Sequence, residues 1–214
     1  MPRQSKNTAS SDRAQRVAQL QHRARAKERR SLSGIWIGLS LVLALIAGLV
    51  TWAIMSNEPV DLGAVEVYDD PEDPADDLER SHVETAVPYE QQPAVGGPHH
   101  ETWWTCGTYE EQVPDHHAVH SLEHGAVWLT YQPGIADDQL DELRGLADQD
   151  FVLLSPYEGQ EAPVMATAWG HQMSVDSADD PRVAEFVREY RQGPQTPEPG
   201  VTCDGGTTTD LLGS

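Results

Sequence analysis

The sequence predicts an α+β protein: one N-terminal transmembrane helix, then a small sheet with helices packed on one face. Three observations predict it. An uncharged run, Gly34 to Met55, divides a basic start from an acidic remainder. Beyond residue 110, segments of helical and strand periodicity alternate. Between an irregular Gly/Pro-rich stretch and the first strand lies a histidine-rich segment, Asp115 to Gly125.

The charge division sets the topology. Residues 1–33 carry nine Lys/Arg against Asp12 and Glu28, a net of +7. Residues after 55 carry five Arg against thirty-three Asp/Glu, a net of -28. The span 34–55 would be roughly 33 Å long as a helix, enough to cross a bilayer. It is longer than the apolar run of a cleaved signal peptide, which favours a retained anchor. Trp36 and Trp52 sit near its ends, where interfacial aromatics belong. The basic side stays inside, so the expected location is the cell membrane, with a cytoplasmic N-terminus and an extracytoplasmic C-terminal domain. The expected organisation is a disordered basic tail (1–33), the span (34–55), a disordered acidic stalk (56–80), the folded domain (81–193) and a Pro/Gly-rich tail (194–214). In the stalk, seven of the eleven residues from Asp69 to Glu79 are acidic, and such a run repels itself. So acidic a domain repels phosphates, which excludes nucleic acid as a partner, and it attracts cations. The two cysteines, Cys106 and Cys203, both fall outside, where a disulfide between them is the default.

Each element of the folded domain has a local reason. Val87 to Trp104 is dense in Gly and Pro and reads as turns. Asp115 to Gly125 reads as a short helix, with Asp115 capping its start and Gly125 in the left-handed position that ends it. Ala126 to Gln132 is a strand. Asp137 to Asp148 is a helix with Leu140, Leu143, Leu146 and Ala147 on one face. Phe151 to Leu154 is a buried strand, and Val164 to Val175 a second long one. Asp180-Pro181 starts a last helix, with Val183, Phe186, Val187 and Tyr190 at helical spacing.

The histidine helix carries the functional expectation. His116, His120 and His124 stand at i, i+4 and i+8 and share a face, with Glu123 leaning the same way. Imidazoles with a carboxylate suit zinc or copper. The expected ligands are His120, Glu123 and His124, with His99 next because the Gly97-Pro98 turn presents it rigidly. A softer set, Met165, Trp169, His171 and Met173, alternates along the expected strand Val164 to Val175, where His171 and Met173 would suit cuprous ion.

Three other readings stand beside this one. His120-x-x-Glu123-His124 matches the H-x-x-E-H pattern of inverted zinc peptidases, but the helix ends at Gly125 and no second glutamate-bearing helix follows. The same residues could form a buried hydrogen-bonded brace. A third reading is an envelope interaction module, with exposed Trp103 and Trp104 contacting an envelope protein partner or a second copy in a homo-oligomer. The expected role is binding rather than catalysis.

Three pieces of this sequence follow one another closely: Gly97-Pro98-His99; Cys106-Gly107-Thr108-Tyr109 with Val113-Pro114; and Val119-His120-Ser121-Leu122-Glu123-His124-Gly125. Ala168-Trp169-Gly170 and Asp179-Asp180-Pro181 come later. Over roughly residues 80–205 the chain resembles the bacterial membrane-anchored family called domain of unknown function 3105. The resemblance implies an extracytoplasmic domain behind one anchor and assigns no reaction.

Overall fold

The structure, a computed structural model, describes residues 38–51, 60–63, 65–69 and 77–212. The chain forms two units, Met1–Glu58 and Pro59–Ser214. In the first, residues 38–51 are helix α1, and its leucines, valines and isoleucine from Leu39 to Val50 are exposed. Among the described residues no helix is long and apolar enough to cross a membrane. The expected span runs past them at both ends, into residues 34–37 and 52–55, and the basic tail 1–33 lies outside them altogether.

The second unit is built on a six-stranded mixed sheet. In chain order the strands are β1 (Glu66–Val67), β2 (Gly107–Thr108), β3 (Val127–Tyr131), β4 (Val152–Pro156), β5 (Val164–Ala168) and β6 (His171–Val175). The helices are α2 (Asp115–Glu123), α3 (Asp137–Ala147) and α4 (Pro181–Tyr190). Across the sheet the order is β1-β6-β5-β3-β4-β2. β3 runs parallel to β4, and β4 to β2. The β3–β5, β5–β6 and β6–β1 pairs are antiparallel.

Alternation along the strands sends side chains into two separate cores. Val127, Leu129 and Tyr131 of β3, with Val152 and Leu154 of β4, pack under Leu143 of α3 and Val183, Phe186 and Val187 of α4. Trp128 and Leu153 point the other way, into Ala118, Val119 and Leu122 of α2 and into Ala94, Trp104 and Trp169. Both faces of the sheet are therefore covered. This corrects the expectation of helices on one face: α2 and the irregular segment before it take the second face, because β3 and β4 are apolar on both sides and cannot leave either to water.

The long strand expected over Val164 to Val175 is a hairpin. Ala168 pairs with His171, and Gly170 turns the chain at φ +66°. A side chain on Gly170 would lie 2.2 Å from Asp69 Cβ. The turn reverses the alternation, so Met173 pairs with Ala166 in the α3/α4 core while Met165 pairs with Ser174 on the opposite face. The expected row of Met165, Trp169, His171 and Met173 is thereby broken up, and Met173 is core filler.

Two segments expected to lie outside the folded domain are fixed by backbone bonds. Glu66–Val67, inside the expected stalk, adds to the sheet edge as β1, and Tyr68 N–H donates to Gly170 O at 2.7 Å. The tail after 193 wraps α2. Glu198 N–H donates to Glu123 O at 3.1 Å, and Thr207 both donates to Trp103 O at 2.9 Å and accepts from Thr105 N–H at 2.9 Å. The Cys106–Cys203 disulfide forms as expected and closes this wrap, with the two residues 97 positions apart. By chain entropy, a loop of that length stabilises the fold by about 4–5 kcal/mol. A Cys106→Ser, Cys203→Ser double variant is expected to lose roughly that much in a urea titration; an unchanged midpoint would show the tail held without the bond.

Candidate metal centre

The site begins with how α2 is held. Gly125 ends the helix at φ +95°, and any side chain there would meet Thr196 and Gln192 within about 3 Å, so the tail passes directly over the helix end. At the start, Pro114 precedes the helix with no side-chain cap. Asp115, expected as the cap, instead accepts Ala94 N–H and Tyr157 OH, each at 2.9 Å. Burial pushes its carboxyl up, and those two donors oppose the shift. Ser121 ties the middle of the helix to Trp104, donating to its carbonyl at 2.7 Å and accepting its N–H at 3.1 Å. All residues from His117 to Glu123 are buried. So polar a helix survives burial only if each side chain finds a partner.

For the histidines those partners are backbone carbonyls. His99 Nδ1 lies 2.8 Å from Gly97 O, His120 Nδ1 2.8 Å from His100 O, and His124 Nδ1 2.8 Å from Thr202 O. A carbonyl only accepts, so each Nδ1 carries the hydrogen. Each Nε2 of the neutral ring is then left with its lone pair outward. This is the tautomer and orientation that metal-ligating imidazoles adopt.

Two of these rings, His99 and His120, converge with that of His82. The centroids of His82, His99 and His120 lie 4.8 to 5.0 Å from one another. The Glu123 carboxylate joins them, and one donor atom from each of the four residues falls within 4.8 Å of the others. Tetrahedral zinc with bonds of about 2.0–2.2 Å needs donors roughly 3.3–3.6 Å apart, so donors spread over 4.8 Å draw in to hold it. His99 Nε2 stands 3.0 Å from Glu123 Oε2, an ion-pair contact between two buried atoms, and Glu123 Oε2 also lies 3.9 Å from His82 Nε2. Two lone pairs facing each other at that distance repel unless a cation or a proton lies between them. The donor set therefore fits a divalent transition metal: three imidazoles and a carboxylate, one of the imidazoles half exposed at His82.

Of the expected ligands, the structure brings His99, His120 and Glu123 into one set. His124 belongs to a second set with His120 and Glu198, and its Nε2 lies 3.6 Å from Glu198 Oε2. His116 parts from the row. Its Nε2 meets Asp210 at 3.0 Å, in a third set with His117. His117 is already satisfied, its Nδ1 donating to Thr102 O at 2.6 Å and its Nε2 accepting Leu211 N–H at 3.2 Å, so it pins the tail. Sequence reasoning missed His82 and Glu198. No periodicity joins either to α2. The available signal was the cluster of histidines after residue 80, in which His82 stands 17 positions before His99. His171 lies elsewhere, with its ring 4.8 Å from that of Tyr190. Trp104 is buried in the core and Trp103 lies against His124 at 4.8 Å, which corrects the expectation that both are exposed contacts.

The electrostatics follow from burial. Burial pushes the His120 imidazole down to about 4, helped by His99 and His124 and opposed by the His100 carbonyl. Burial likewise lowers His117 and His124. For Glu123, burial acts upward, but the hydrogen bond and charge of His99, with His120 and His82, outweigh it and hold the carboxyl below its ordinary value. Neutral imidazoles and an ionised carboxylate are the protonation states that bind metal.

Fold and site together define an α+β domain with a buried histidine–glutamate donor cluster at one helix. The chain belongs to the family described as Protein of unknown function (DUF3105), whose model matches residues 82–205. That stretch begins at His82 and contains every donor of the first two sets. No curated protein and no solved structure matches the chain.

The lowered imidazole sets a pH dependence. Between the folded value of about 4 and the ordinary 6.5 for His120, the unfolded chain binds more protons than the folded one. Stability of the metal-free chain is then full above about pH 6.5 and falls as pH drops towards about 4. His120→Asn should flatten this limb. Denaturation midpoints that do not change across that window in the wild type would contradict the burial argument.

Proposed function

We propose that this chain is a membrane-anchored, extracytoplasmic metal-binding protein whose ion, zinc or cupric, is held by His82, His99, His120 and Glu123. The observation that carries this reading is the convergence of His82, His99, His120 and Glu123, whose donor atoms lie within 4.8 Å of one another, with buried His99 Nε2 and Glu123 Oε2 3.0 Å apart. The nitrogen and oxygen donors favour zinc or cupric ion, while the soft cuprous pair of His171 and Met173 loses its support because Met173 is core.

Saturating zinc or cupric ion binds the native state and should raise the melting temperature of the full chain. At a hundredfold excess over Kd the gain is about 2.7 kcal/mol, or roughly 5–10 °C for a domain of this size. His99→Ala and His120→Ala should abolish most of that rise and His82→Ala a smaller part. Glu123→Gln weakens binding if the carboxylate is a ligand, but spares binding if it serves a hydrolytic site as base. A wild-type melting temperature unmoved by either ion would leave the brace in place of the metal site.

The membrane part of the proposal rests on the uncharged run Gly34 to Met55, the Lys/Arg bias of residues 1–33 and the exposed apolar side chains of α1. The disulfide also favours an oxidising compartment. A reporter active only outside the cytoplasm, fused after Ser214, should be active. Activity of a cytoplasmic reporter at that position would refute the orientation.

A further inference from the structure

We propose that the site offers one metal ion two successive positions sharing a single ligand atom, His120 Nε2: a three-donor position formed with His124 and Glu198, and the four-donor position formed with His82, His99 and Glu123. This deepens the metal reading above and rests on it. The donors of each set lie within 4.8 Å of one another, and His120 belongs to both. Its Nδ1 hydrogen is committed to His100 O at 2.8 Å, so the ring cannot bridge two ions through both nitrogens. One lone pair bonds one ion. The two positions are therefore alternatives for the same ion and not a dinuclear centre.

Their construction differs. The four-donor position has four ligands, three of them buried, against three ligands with two buried, so it holds the ion at rest. The three-donor position is carried by the tail. Glu198 N–H donates to Glu123 O at 3.1 Å, Thr202 O takes the His124 Nδ1 hydrogen, and Cys203 beside it is bonded to Cys106. The Glu198 side chain is 47% exposed while that of His124 is 2% exposed, which joins a solvent-facing carboxylate to a buried imidazole. Their closest approach, 3.6 Å, is beyond hydrogen-bond reach. An ion attracted by the acidic surface is caught by Glu198 and His124 together with His120. It then exchanges those two ligands for His99, Glu123 and His82 without leaving His120. The bonds made and broken are metal–ligand bonds, and a proton held between His99 and Glu123 leaves to solvent when the ion takes its place.

The test is zinc stoichiometry and loading rate on the full chain. Wild type should bind one zinc at saturation. Glu198→Gln, a change at an exposed side chain, should slow loading by about tenfold while leaving the equilibrium affinity within a few-fold of wild type. His99→Ala should still take up one zinc, held at the three-donor position on the order of 100-fold more weakly. Adding Glu198→Gln to His99→Ala should then cost affinity as well as rate. Two zinc ions bound to wild type, the second of them lost in His124→Ala, would overturn the exclusive sharing of His120. Loading of Glu198→Gln at the wild-type rate would overturn the three-donor position and leave the four-donor site standing. Absence of any zinc on wild type would overturn both.

Discussion

Four backbone carbonyls, those of Gly97, His100, Thr102 and Thr202, each take the Nδ1 hydrogen of a buried histidine, and the arrangement of the second unit follows from that requirement. A helix as polar as α2 gains little from burial by itself. It is stable inside only because the irregular segment before it and the tail after it bring carbonyls to within 2.6 to 2.8 Å of its rings and of His99. The same bonds fix which nitrogen carries the hydrogen. They leave Nε2 lone pairs outward on His99, His120 and His124, and so the interactions that satisfy the fold also create the donor set.

The sheet acts as the platform for this arrangement. β3 and β4 present apolar side chains to both sides, so α3 and α4 on one face provide an ordinary hydrophobic core, and the opposite face is free to carry α2. Ala118, Val119 and Leu122 anchor α2 on Trp128 and Leu153, while its histidines and Glu123 turn towards the wrapping segments. The long-range closure by Cys106–Cys203 matters most here. Without it the tail residues Glu198 and Thr202 would hold their places against α2 only through single hydrogen bonds and would pay the full entropy of a free chain end.

Much of the scaffold could be read from periodicity, capping and turn residues. The strands Val127–Tyr131 and Val152–Pro156, the helices Asp137–Ala147 and Pro181–Tyr190, the left-handed stop at Gly125 and the Asp180 cap all rest on signals within one or two turns of chain. The disulfide followed from having two cysteines in one acidic region. The signals failed where a turn hid inside an apolar run. Trp169-Gly170 splits Val164 to Val175 into a hairpin and sends Met165 and Met173 to opposite faces. They failed again in segments of charged or small residues, because Glu66–Val67 and Thr207 are ordered by partners far away in sequence.

By itself the sequence determined that a helix would carry His120 and Glu123 towards a common side, since that depends only on 3.6 residues per turn. It also determined that basic and acidic residues stand on opposite sides of an uncharged run. Only the tertiary structure decided which donors meet. Helical spacing groups His116, His120 and His124, yet His116 turns away to Asp210, His120 and His124 share one set and only His120 reaches the other, because the His120 and His124 rings are turned by the carbonyls that take their Nδ1 hydrogens. His82 and His99 come together by backbone pairing at a bridge between two loops, and Glu198 arrives on a tail bonded to Glu123. Contacts between segments this far apart depend on chain closure and on the satisfaction of buried polar groups, neither of which leaves a period in the sequence.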